Sequence, residues 1–149
     1  MNPTVPELLM GSLVAISEPP NEDSAGDFTT GKFVVLGLLS FLCAQEAEKG
    51  AATRHAENEA MRRLFADAAR EAWATELSLE LERLSNARDD DLTLTGLDAA
   101  NAELRHALIR LQEAVEAVAH TARQRRILQL LVDHARARAL TLPGEPASP

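Results

Sequence analysis

Phe33-Val34-Val35-Leu36-Gly37-Leu38-Leu39-Ser40-Phe41-Leu42-Cys43-Ala44 is the only stretch of this chain in which a dozen residues pass without a charge. A helix that is apolar on every side needs cover on nearly every side. The run is therefore read as a core helix, buried at the centre of the fold, with the other segments packed around it. It falls short of the roughly 20 apolar residues that span a bilayer. Cys43 lies inside it with no Lys, Arg or His close in sequence, so it reads as a small buried hydrophobe and not as a reactive thiol.

Working outward toward the N-terminus, Asp27, Thr29 and Thr30 are candidate caps for this helix. Before them, Ser17 to Gly26 carries Pro19, Pro20 and several acids and reads as a solvated loop. The first segment opens on Thr4-Val5-Pro6-Glu7, a capping-box pattern. Val5, Leu8, Leu9, Leu13 and Ile16 then recur at helical spacing. Glu7 stands where a secretory signal would place positive charge, and with no membrane span the expectation is a soluble, cytoplasmic protein.

Toward the C-terminus, Gln45-Glu46-Ala47-Glu48-Lys49-Gly50 turns polar. Gly50 is either a helix stop or an interior glycine costing about 1 kcal/mol relative to Ala. From Ala51 to about Ala87 an apolar stripe through Met61, Leu64, Phe65, Ala68, Ala69, Ala72, Trp73, Leu77, Leu81 and Leu84 predicts helix, with Trp73 in phase for core packing. Ser85 to Asp91 is a polar break, and Asp89-Asp90-Asp91 reads as a solvated turn, since calcium loops alternate their ligands around a glycine. Thr95 is the expected cap of the next helix, with Asp98 at its third position.

The most regular pattern follows: Leu97, Asn101, Leu104, Leu108, Leu111, Val115 and Val118, then Ala122, step by four and three along a narrow seam. Such a seam wants another helix along it, and Asn101 is the polar exception that can fix register. Beyond Ala122 the phase changes, so the helix either breaks near Arg123-Gln124-Arg125-Arg126, read as a solvated turn or helix end, or acquires a second partner. Residues 1–141 are expected to form one helical domain and residues 142–149 a disordered tail.

The totals agree with helix. The chain has 149 residues, 46% of them apolar, four Phe, one Trp and no Tyr. A net charge of −8 argues against nucleic acid and anionic membrane surfaces as partners, because both draw affinity from Lys and Arg. Phosphate-binding glycine patterns, nucleophile elbows, paired Cys-x-x-Cys and His-Glu-x-x-His are all absent. A ferritin-like metal enzyme would need two Glu-x-x-His motifs facing inward. Only Glu103-Leu104-Arg105-His106 supplies one, and His106 points away from the seam, as do Glu116 and His120. Glu46, Glu48 and His55 are the remaining inward candidates for a metal.

Pro3-Thr4 with Glu7-Leu8-Leu9, the apolar helix ending Glu46-Ala47-Glu48-Lys49-Gly50, and Ala56-Glu57 leading to Met61, Leu64 and Phe65 resemble a small helical family of unknown function. That family is encoded beside, or fused to, aminoglycoside-phosphotransferase-like kinases and acyl-CoA dehydrogenases. The match covers under half the chain, which departs from it by having Leu, Gly and Phe where the family favours Ala and Asn in the core helix. The resemblance implies a non-catalytic accessory module near acyl-CoA or phosphotransfer metabolism, and it carries no catalytic residues over.

The expectation is thus an all-α antiparallel bundle of four or five helices around a buried central helix. Functionally it reads as a non-catalytic interaction protein without cofactor, self-associating as a homo-oligomer or binding an enzyme partner, with the seam from Leu97 to Val118 as its interaction surface. The competing readings are the ferritin-like metal enzyme and a helical export chaperone or adaptor that binds a partner's amphipathic helix.

Overall fold

A computed structural model describes residues 3–17 and 25–142. Five helices occur among them: α1 (Val5–Ser17), α2 (Ala25–Ala68), α3 (Thr75–Asn86), α4 (Leu94–Ala117) and α5 (Thr121–Ala137). The all-helical class expected from composition is present, with no strand among the described residues. Of the loop expected from Ser17 to Gly26, Ser17 belongs to α1 and Ala25 and Gly26 to α2, and residues 18–24 lie outside the described residues, as does the expected tail beyond Leu142.

The chain divides into two compact units, residues 1–50 with 139–149 and residues 51–138. Helix α2 contributes residues 25–50 to the first and 51–68 to the second. In the first unit, Glu7 reaches back to the start of α1, accepting from the Thr4 backbone N–H at 2.7 Å and from its hydroxyl at 3.0 Å. Gly50 lies inside α2 and does not end it. A Cβ there would stand 2.9 Å from Glu46 Oε1, so the missing side chain is what lets the buried Glu46 lie along the helix. Residues 139–141 are tied to α2 through side chains. The Gln45 amide both donates to the Thr141 carbonyl at 2.9 Å and accepts from the Thr141 N–H at 3.0 Å, while Lys49 donates to the Ala139 carbonyl at 2.6 Å.

Phe33 to Ala44 is not the centre of the core. Phe33 is 69% and Val34 67% exposed, and Val35 and Phe41 are exposed as well, whereas Cys43 is buried. The expected buried central helix is thus exposed over much of its apolar surface. The continuous apolar core lies in the second unit instead, where Met61, Leu64, Phe65 and Ala68 of α2 meet Leu77, Leu81 and Leu84 of α3, Leu104 to Val115 of α4 and Ile127 of α5.

The stripe expected as one helix from Ala51 to Ala87 is two helices. Residues 69–74 are helix formers by propensity, so the break needs a tertiary cause. The Trp73 indole folds back, its N–H donating to the Ala68 carbonyl at 2.8 Å, and the ring packs against the core edge. One side chain thereby satisfies an end carbonyl and fills the corner. Helix α4 begins one turn-residue pair earlier than expected: its cap is Thr93, whose hydroxyl accepts from Gly96 N–H at 3.1 Å, and not Thr95.

The phase change after Ala122 has its cause just upstream. Helix α4 ends at Ala117, Ala119 adopts φ 51°, and His120 caps α5 by accepting the Arg123 N–H on Nδ1 at 3.3 Å. The basic segment 123–126 therefore lies in the opening turns of α5, at a helix end and not in a turn. Arg123 is buried and ion-pairs with Glu71. An alanine with positive φ is strained by its Cβ, a strain glycine lacks. Ala119→Gly should raise stability by up to about 1 kcal/mol after the entropy of the freed unfolded chain is subtracted, read as a higher urea midpoint at unchanged slope.

Candidate functional site

The second unit buries two carboxylates, and each organises a polar cluster. The Glu57 side chain is 2% exposed and forms a double hydrogen bond with Arg138, Nε to Oε1 at 2.6 Å and an η nitrogen to Oε2 at 2.5 Å. The Asn101 amide donates to Glu57 Oε2 at 3.2 Å and to Asn58 Oδ1 at 2.8 Å. Its own Oδ1 accepts from Arg105 Nε at 2.7 Å. These contacts join α2, α4 and the residue just after α5. The polar exception on the seam is thus the hub of a network, which is how a buried amide avoids the cost of an unmade bond.

His134, on the last turn of α5, faces this cluster. It is buried, and its Nε2 has no hydrogen-bond partner. Burial pushes its pKa down, opposed by Glu57 and Asp133 and reinforced by Arg105 and Arg138. The neutral imidazole is therefore the folded form. Above the unfolded value of about 6.5 neither state is protonated at this position, and below it the unfolded chain takes up a proton that the folded one refuses. Stability should fall as pH drops from about 6.5 toward the lowered folded value, and His134→Leu should flatten that part of a pH series of urea midpoints.

The second cluster is centred on Asp89, whose side chain is fully buried. Its Oδ1 accepts from an η nitrogen of Arg62 at 2.5 Å and from the Asn58 amide at 3.2 Å, and its Oδ2 lies 2.9 Å from His55 Nδ1. The hydrogen bond from Arg62, with smaller contributions from His55 and Asn58, holds the Asp89 carboxyl below its ordinary range against its burial. Nearby, Arg54 Nε meets Asp98 Oδ1 at 3.2 Å and the Asn58 amide also reaches the Leu97 carbonyl at 3.2 Å, so the start of α4 is tied to α2.

Asp89 read as part of a solvated turn because it stands in an acidic triplet. The signal for its burial lies elsewhere: His55, Asn58 and Arg62 fall at spacings of three and four on one face of α2, a polar face directed at the linker that carries Asp89. Glu57 had a comparable clue in Asn101, a polar residue on an apolar seam with no assigned partner.

The seam residues Leu97, Asn101, Leu104, Leu108, Leu111 and Val115 are buried within the second unit, and Val118 is exposed. The seam is covered by helices of the same chain. Of the metal candidates, Glu103 is exposed and paired with Arg83 at 2.7 Å, His106 and Glu48 are exposed, Glu46 is buried, and His55 is engaged by Asp89. No group of three or more potential ligands that could hold a metal ion occurs among the described residues. Nor is any described helix long and apolar enough to cross a membrane.

The fold and these clusters define an all-helical protein with a buried ionic framework and an exposed apolar helical segment. Comparison with protein-family models, with curated proteins and with solved structures finds no match.

Proposed function

We propose that the protein is a helical interaction module that self-associates through α1 and the first half of α2. The carrying observation is the exposure of Phe33, Val34, Val35 and Phe41, with Leu9, Met10 and Val14 exposed on α1. Three consecutive residues of a helix fan over roughly 200° of its circumference, too wide an arc for one flat surface to cover. A second copy of the same pair of helices supplies several faces at once, as in a bundle of helical hairpins. Charge does not oppose the contact, since no ionisable acid or base stands between Phe33 and Ala44 other than the buried thiol of Cys43. The enzyme partner that the family resemblance implies would use the same face in this reading.

Light scattering coupled to size exclusion tests the proposal. The wild type should run as a dimer or larger species, and the double substitution Phe33→Glu, Val34→Glu should give a monomer of unchanged helicity. A wild type that stays monomeric at high concentration would sink the reading, and so would an oligomer indifferent to the double substitution.

A further inference from the structure

The Asp89 cluster opens on a cavity of about 790 Å³. That volume falls within the roughly 300–1,000 Å³ typical of small-molecule sites. Its walls come from one face of α2, from the end of α3 with the linker after it, and from the first turn of α4, all within the second unit. Ala51, Ala52, Leu92 and Leu97 give the cavity an apolar side, and the ionisable groups on its walls are His55, Glu59, Arg62, Arg88 and Asp89.

Those groups select a ligand by what each has left to offer. Arg62 commits its η nitrogens to Asp89 and to Glu59, at 2.5 and 3.0 Å, and its buried Nε has no hydrogen-bond partner. Asp89 has both oxygens occupied. Arg88 differs: it is exposed, it lines the cavity, and no hydrogen bond or ion pair holds it among the described residues. A guanidinium with its full fork available is suited to a planar carboxylate.

His55 supplies the second contact. An ionised carboxylate only accepts, so the Nδ1 facing Asp89 carries the proton and Nε2 is the nitrogen left for a ligand. When the ring is protonated both nitrogens donate, and the imidazolium lies between the Asp89 carboxylate and the ligand. Glu59 and Asp89, together with the carbonyl end of α3 at Asn86, border the same space and oppose a second negative charge. A monoanion is matched by Arg88, whereas a phosphate dianion is not.

We propose that this cavity binds a small amphiphilic carboxylate. Its carboxylate is held by the Arg88 guanidinium and His55 Nε2, and its apolar body lies against Ala51, Ala52, Leu92 and Leu97. Asp89 acts as a positioning residue that fixes the His55 ring and tautomer. Arg62, Arg88, Glu59 and Asp89 are the charged groups that share the cavity with the ring.

The test is a titration of the full chain followed by amide NMR, with hexanoate, hexanamide, hexylamine and hexyl phosphate as probes. Hexanoate should bind at about millimolar concentration, moving amides around residues 51–58 and 85–92. The amide and amine should bind at least about tenfold more weakly, and so should the phosphate. Arg88→Met, a change at an exposed linker position, should weaken hexanoate at least about tenfold, and His55→Leu should weaken it as well while leaving hexanamide unchanged. Shifts that are equal for hexanoate and hexanamide, shifts confined to residues outside the cavity, an Arg88→Met variant that binds normally, or no shift up to about ten millimolar would each overturn the proposal.

Discussion

Replacing Arg138 with methionine is expected to cost about 3 kcal/mol, a large fraction of the roughly 5–15 kcal/mol that holds a domain of this size together. The reason is the asymmetry of a buried ion pair. Taken together, Glu57 and Arg138 gain little over a well-packed apolar pair, but removing one partner strands the other. Glu57 is 2% exposed and cannot reach water where it stands, while the Arg138 side chain retains 14% exposure and could turn outward. Loss of the arginine should therefore hurt more than loss of the acid. Arg105, 3.8 Å from Glu57, can close part of the gap, which keeps the figure at the lower end of the usual 3–5 kcal/mol. Glu57→Gln keeps the shape and one acceptor and should cost about 1–2 kcal/mol. Urea unfolding at neutral pH measures both, and an Arg138→Met cost below about 1 kcal/mol would mean that the network is not held as a unit.

This network also marks how far the residues alone could be read. Periodicity located α4 and assigned its buried side, because Leu97, Leu104, Leu108, Leu111 and Val115 repeat on one face and that face is buried. It said only that Asn101 could fix register, since the partners come from Glu57, Asn58 and Arg138, at separations of about forty residues that no local pattern encodes. The break at residues 69–74 was illegible for a similar reason. Its residues favour helix, and only the return of Trp73 to the Ala68 carbonyl ends it. Phe33 to Ala44 shows a different limit: apolar composition states that a surface must be covered, but not by which chain.

That distinction ties the stability argument to the functional one. The second unit carries its own apolar core and two buried ionic clusters, so its stability need not depend on association. Phe33, Val34, Val35 and Phe41, with Leu9, Met10 and Val14, lie in the first unit, while the second unit exposes others such as Leu79, Ile109 and Leu128 on the outer faces of its helices. Charge introduced at Phe33 and Val34 should thus change the oligomeric state and spare the core, whereas substitutions at Glu57 or Asp89 should do the reverse.

Asp89→Ala is the substitution expected to do the greatest damage, about 3–5 kcal/mol. It strands Arg62, whose side chain is 6% exposed and would keep only Glu59 as a counter-charge, at the half-exposed end of the pair. It also removes acceptors for the Asn58 amide and for His55. Asparagine at the same position would return one acceptor and no charge, and should recover less than half of the loss. The sharper test is the paired replacement Arg62→Met, Asp89→Leu. If the cost comes from a stranded charge and not from lost packing, the double variant should be more stable than Asp89→Ala alone, by at least about 1 kcal/mol. Acid provides a second check, with the sign opposite in origin to that of His134. Because the folded state lowers the pKa of Asp89, its contribution is complete above the unfolded value of about 3.8 and disappears as pH falls through the lower folded value. Wild-type stability should therefore fall in two stages, the first below about pH 6.5 from His134 and the second below about pH 4 from Asp89, and the Arg62→Met, Asp89→Leu variant should retain the first stage while losing its share of the second.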